Sequence, residues 1–168
     1  SFIGLRENTD TAWAQVETQY KRRADLVPQL VATVRGAADF EESVLTQVTE
    51  ARTNWQNTAS NESATIEDQI AASASFDSAL SRLLVTVESY PVLTATSGFL
   101  TLQSQLEGTE NRVSVSRFDY NTVAKDYNIA TQLVPAVFIA NIFGFDEFPL
   151  FESKEGAEDA PEVNFDFK

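Results

Sequence analysis

Along most of the chain, apolar residues recur at steps of three and four. Phe2, Leu5, Thr9, Trp13, Val16, Tyr20, Val27, Leu30, Val31 and Val34 trace the first such line. That spacing places side chains on one face of an α-helix, so the line predicts an amphipathic helix. Pro28 falls inside it. Proline lacks the N–H that the carbonyl four residues back would accept, and it crowds that carbonyl, which predicts a kink. Gly36 reads as the helix stop. Asp39 then reads as an N-cap with Glu42 three residues on, a capping-box variant. A second line uses Phe40, Val44, Val48, Ala51 and Trp55. Residues 57–65 are polar and read as a loop. A third line uses Ile66, Ile70, Phe76, Leu80, Leu83, Leu84 and Val87, and stops at Tyr90-Pro91.

The fourth line starts near Thr96 or Ser97 and is the longest. Phe99, Leu106, Val113, Tyr120, Tyr127 and Val134 are spaced by seven throughout. Leu102, Thr109, Ser116, Val123 and Ala130 form a companion line. Large and small residues on adjacent heptad lines make the seam of a helix packed in a bundle. About 38 residues at 1.5 Å each give roughly 57 Å. The expected fold is all-α, a long antiparallel up-and-down bundle with a kinked first helix.

After Pro135 the pattern changes. Seven of the twelve phenylalanines lie in residues 138–167, among acids, Gly and Pro. Residues 142–151 cannot form a regular helix throughout, and 152–162 read as flexible. Val163–Phe167 alternates apolar and polar residues, which suits a short extended segment. The chain therefore divides into a helical body, 1–145, and an acidic, Phe-containing C-terminal tail, 146–168. Phe138, Phe143 and Phe145 are expected to fold back and cap the bundle. Phe148, Phe151, Phe165 and Phe167 are expected to meet another chain, with the flanking acids limiting unwanted self-association.

Composition narrows the chemistry. The chain contains no His, Cys or Met. That removes imidazole bases, cysteine nucleophiles, disulfides and zinc–thiolate sites. The His-dependent di-metal motif of helical bundles is removed with them. No calcium-loop spacing, Gly-rich phosphate loop or nucleophile elbow occurs. No enzyme activity, cofactor or metal is expected. The net charge is −13, from 25 acids and 12 bases, and disfavours nucleic acid. Residues 136–168 alone carry eight acids and two bases, so much of that charge travels with the Phe-rich tail. Leu133–Phe145 is the longest apolar stretch and is too short to span a bilayer. A chain that starts at Ser1 and lacks Met reads as processed or trimmed, with a cleaved signal or a lost anchor upstream.

Two polar sets remain. Glu110, Arg117, Asn121 and Asn128 fall on or beside the packed face of the fourth helix. They could line a small polar pocket, but polar groups in bundle cores more often pair and fix register. Lys21, Arg22 and Arg23 form the only basic cluster. They could touch an anionic headgroup, an acidic tail or a partner. Three consecutive helical charges more commonly fan over about 200° and are simply solvated.

Many motifs in order carry a family likeness. Leu5-Arg6, Asp10, Ala12-Trp13, Lys21–Val31, Thr33–Gly36 and Ala51-Arg52 mark the first half. Glu88–Pro91, Phe99–Gln103, Thr109–Val113, Tyr120-Asn121, Tyr127-Asn128, Pro135 and Phe143–Phe145 mark the second. Over roughly residues 3–151 the chain resembles the LemA family of bacterial proteins, and Pro161–Phe165 also fits. The match is weakest over residues 57–78. The resemblance implies a four-helix up-and-down bundle that normally follows an N-terminal hydrophobic anchor. It implies membrane-associated, non-enzymatic proteins, one relative taking part in building magnetosome membranes, and no catalytic residues to carry over. Two functions follow as expectations. One is an envelope-associated scaffold or protein-interaction module, reaching the membrane only through a segment absent here. The other is a self-assembling subunit of an oligomer or extracellular filament, whose aromatic tail docks on a neighbouring copy.

Overall fold

A computed structural model describes residues 2–37, 39–133 and 136–152, with Ala136 described through its backbone alone. The regular elements among these residues are all helices, with no strand among them. The elements are α1 (Phe2–Arg35), α2 (Glu42–Ala59), α3 (Ile66–Val87), α4 (Pro91–Thr94), α5 (Ser97–Gln132) and α6 (Ala136–Phe143). The expected segment 163–167, with Phe165 and Phe167, lies outside the described residues, as do Val134 and Pro135.

The first helix runs unbroken through Pro28. Pro28 sits on the exposed face, so its ring is not forced into the core. Its missing N–H leaves the Ala24 carbonyl without an intrahelical donor. Ala24 is fully buried, where an unsatisfied carbonyl is costly. Arg52 of α2 supplies the replacement: its Nε donates to Ala24 O at 2.7 Å. One helix thus satisfies the gap that proline opens in another.

The expected cap at Asp39 is not formed. Helix α2 begins at Glu42, and Glu41 stands at its N-cap position without a side-chain cap bond. Asp39 instead turns the chain, with φ 65°. Asp tolerates this left-handed region better than most residues. Its carbonyl accepts a hydrogen bond from the Tyr90 hydroxyl at 3.0 Å, and the Phe40 and Tyr90 rings pack 4.9 Å apart. A capping box occurs at α3: Thr65 Oγ1 accepts from Asp68 N, and the Asp68 carboxylate accepts from Thr65 N. Helix α2 also extends to Ala59, into the polar stretch read as a loop. Helix α4 is a single turn opened by Pro91 at N1, where proline costs no hydrogen bond.

Helix α5 keeps the first heptad line. Phe99, Leu106, Val113, Tyr120 and Tyr127 are all buried. The companion line holds at Leu102, Thr109 and Ser116, then shifts to Ala124 and Thr131 instead of Val123 and Ala130. A 3.6-residue turn drifts about 20° per heptad, so over five heptads the inward position moves by one residue.

The core lies where α1, α2, α3 and α5 meet. The most extensive contact is between α1 and α5, followed by α2 with α3. Trp13 meets Tyr120 while Arg23 meets Glu110, so rising numbers on α1 face falling numbers on α5. Trp55 packs on Phe76 while Arg82 reaches Gln47, the same opposition between α2 and α3. Trp13 bonds Gln69 while Tyr20 bonds Asp77, so along α1 and α3 the numbers rise together. Each fully buried Leu or Phe in this core contributes about 1.5–3 kcal/mol.

Helix α3 is long and apolar enough, by length and composition, to cross a membrane. Here Phe76, Leu80, Leu83 and Val87 pack into the core, and Asp77 joins an ion-pair network, as in a core helix.

Candidate functional site

Two arrangements of polar groups organise the molecule. The first is a clamp on the chain segment that follows α6. Gly144, at φ 66°, turns the chain back after α6. Residues 146–152 then run extended along α5 toward its N-terminal end. The Asn128 side chain grips Phe148 from both sides of its backbone: Nδ2 donates to the carbonyl and Oδ1 accepts from the N–H, both at 2.8 Å. Asn121 does the same to Phe151, at 3.0 and 2.9 Å. Between them the Tyr120 hydroxyl donates to Pro149 O at 2.7 Å. The spacing has a geometric cause. Seven helical residues advance about 10.5 Å, and three extended residues advance about 10 Å. Two asparagines seven apart therefore meet two backbone units three apart. Pro149, lying between them, has no N–H that would need a partner.

The aromatic side chains lock this docking. Phe151 is 6% exposed and stacks on Trp13 at 5.8 Å, with Tyr120 edge-on at 5.8 Å. The Arg117 guanidinium lies over its ring at 4.4 Å. Phe148 is half-buried and meets Tyr127 edge-on at 4.9 Å. The indole Nε1 of Trp13 donates to Glu17 at 3.1 Å and Gln69 at 3.2 Å. Burial pushes the Glu17 carboxyl above its ordinary range, and the Trp13 hydrogen bond partly offsets this. Phe148 and Phe151, expected to meet another chain, are packed against their own helices. The cause is the return of the chain after Gly144, which the linear pattern does not encode.

The second arrangement is a charge network around one buried arginine. Arg23 is 2% exposed and reaches Asp77 on α3 through Nη1 and Glu110 on α5 through Nη2. Tyr20 donates to the other Asp77 oxygen at 2.7 Å, and Arg117 approaches that oxygen at 3.4 Å. Burial raises the Asp77 carboxyl, opposed by Arg23, the Tyr20 hydrogen bond and Arg117. Burial and the Asp77 charge likewise push the Tyr20 hydroxyl upward. Arg23 is thus removed from the expected surface cluster; only Lys21 and Arg22 are exposed. Its position explains this. Steps of three and four run 16, 20, 23, 27 along the buried face, and Arg23 fills the gap between Tyr20 and Val27. Sequence reasoning missed Asp77 and Tyr20. Asp77 follows Phe76 and precedes Leu80 on the apolar face of α3, and that placement was the available signal.

Glu110, Arg117, Asn121 and Asn128 are all engaged with groups of the same chain. Above the network, a cleft of about 540 Å³ continues between α3 and α5, with Leu80, Leu84, Phe99 and Leu106 in its lining and Glu88 and Glu107 among its polar groups. Among the described residues, no group of three or more acids is placed to hold a metal ion.

Phe138 and Phe143, expected to cap the bundle, are 65% and 70% exposed. An eight-residue helix can bury only one face, and among the described side chains of α6 the buried one is Ala140. Phe145 is half-buried and stacks on Phe2 at 6.0 Å.

These features define an all-helical protein whose polar side chains tie helices to one another and to an extended segment. Residues 12–165 match the LemA family model, and the chain belongs to the LemA family. Its relatives include magnetosome proteins MamQ 1 and MamQ 2 of Paramagnetospirillum magneticum, each 25% identical over 179 residues. The magnetosome protein MamQ of Magnetospirillum gryphiswaldense is 23% identical over 181 residues. Each alignment covers 94% of this chain and 66% of the relative, so the chain spans just under two thirds of their length.

Proposed function

We propose that the chain is a non-enzymatic, membrane-associated scaffold of the cell envelope, built as an antiparallel up-and-down four-helix bundle that offers its surface to a protein partner. Support for the topology comes from the opposed numbering of α1 against α5 and of α2 against α3. Family membership and the magnetosome relatives support the membrane setting. The observation that carries the scaffold reading is the use of the polar residues at the helix contacts. Arg23, Asp77, Glu110, Asn121 and Asn128 are spent on joining structural elements. Such a body is rigid, which suits a spacer or docking platform.

Self-assembly is the alternative, and the clamp defines its form. A neighbour's residues 146–152 would replace the chain's own on Asn121 and Asn128. Light scattering of the 168-residue chain and of N121A/N128A distinguishes the two. A monomer independent of concentration in both forms fits the scaffold. Concentration-dependent growth of the parent chain, abolished in N121A/N128A, would establish the exchanged form instead. Loss of either asparagine leaves two backbone groups unpaired, so amide exchange at Phe148 and Phe151 should quicken about tenfold or more.

A further inference from the structure

We infer that α6 makes direct contact with the interfacial region of a lipid bilayer, so that this end of the molecule rests on the membrane by its own side chains. The inference rests on the membrane-associated reading above and names the surface involved.

Four large apolar side chains of α6 stand in solvent: Phe138 at 65%, Ile139 at 45%, Ile142 at 77% and Phe143 at 70% exposure. Leu133, just before α6, is 60% exposed. No charged residue occurs from Tyr127 to Phe145, in a chain that is 22% charged. The helix is held in place. Ala140 is buried, its carbonyl accepts from Phe145 N at 3.0 Å, and Phe145 stacks on Phe2 in the first turn of α1.

A lipid surface fits better than a second copy of the chain. The four side chains present roughly 450 Å² of apolar surface, and a stable dimer buries about 800 Å² on each partner. Two copies would also each bring a net charge of −13. A bilayer interface requires no matching surface and accepts Phe and Ile at the boundary between headgroups and acyl chains. The charge further selects the lipid. Asp146 and Glu147 follow the patch directly, and an acidic body is repelled by anionic headgroups, so a zwitterionic surface is favoured.

Tryptophan placed at the patch reads the contact. F143W in the 168-residue chain is mixed with phosphatidylcholine vesicles and with vesicles containing 30% phosphatidylglycerol. V92W is the control, because Val92 is 86% exposed beside the opposite end of α1. The native Trp13 and Trp55 are buried and report little. F143W emission should shift to the blue and be quenched by brominated phosphatidylcholine, while V92W stays unchanged. Partitioning should weaken on the anionic vesicles at low salt. F138S/I142S/F143S should lower partitioning into phosphatidylcholine at least tenfold while keeping the parent's helical content and melting. An F143W spectrum indifferent to vesicles overturns the inference, as does an equal response from V92W. Concentration-dependent association without lipid, abolished by the triple variant, would assign the patch to a second copy. If F143W ignores vesicles while the native protein still fractionates with cell membranes, only the α6 contact fails. If neither associates with lipid, the membrane-associated reading fails too.

Discussion

The bond from Arg52 to the carbonyl of Ala24 should matter only because residue 28 is proline. Ala24 is fully buried, and Pro28 cannot donate to its carbonyl. Arg52 Nε takes the place of that donor at 2.7 Å. In Arg52→Met the aliphatic stem still covers the helix, but the charged donor is gone. A hydrogen bond from a charged group is worth about 1.5–3 kcal/mol, and the substitution leaves a buried acceptor unpaired. A cost of about 2 kcal/mol is expected. Pro28→Ala restores an N–H to the helix ladder at the position that faces Ala24 O. In that background the same Arg52→Met change should cost only about 0.5 kcal/mol, its hydrogen bond having become redundant. The coupling of about 1.5 kcal/mol exceeds the few tenths expected of independent sites. Urea unfolding of the parent, both single variants and the double variant, followed through Trp13 and Trp55 fluorescence, measures it. Equal costs for Arg52→Met in the two backgrounds would refute the compensation and leave Arg52 as an ordinary interhelical contact.

Other outcomes follow from the charge network and the cap. Arg23→Met should destabilise by about 1.5–3 kcal/mol, because it takes the charged donor from a largely covered Asp77 that then keeps only Tyr20 and the longer Arg117 contact, and adding Asp77→Asn should recover part of the loss. The Asp77 carboxyl is raised in the folded state, so the stability it contributes is full below its unfolded value near pH 4 and is lost as pH rises through the folded value. Asp77→Asn should remove that part of the stability–pH slope in a series of urea titrations. Asp68 has the opposite sign: its carboxyl is lowered by the Thr65 N–H and side chain, so its contribution is present above the unfolded value and fades as pH falls through the folded one. Thr65→Ala should cost about 1 kcal/mol by loss of the N-cap, and thermal melts at neutral pH would show it.

The helical lines were legible because burial follows a local period. Phe99, Leu106, Val113, Tyr120 and Tyr127 appear in the sequence at steps of seven and are buried on one face of α5. The later shift to Ala124 and Thr131 arises because a straight helix turns every 3.6 residues and a heptad repeat assumes 3.5. The polar residues were harder to read. Asn121 and Asn128 stand out by their spacing, but the spacing does not name Phe148 and Phe151 as their partners. Asp39 satisfies the local rule for an N-cap, yet its backbone turns at φ 65°, outside the extended region a cap requires, and α2 starts only at Glu42.

By itself, the sequence determined an all-helical chain, the position of its long helices, the absence of imidazole and thiol chemistry, and membership of a family. The first three depend on composition or on neighbours within a few residues, and the last on the order of motifs along the chain. The tertiary structure decided which charges are interior, which phenylalanines are covered and which stand in solvent. Arg23 became a core residue and Phe151 a partner of Trp13, while Phe138 and Phe143 stayed exposed. Those outcomes depend on groups 54 to 138 residues apart in the chain, brought together only when helices of fixed pitch pack against one another.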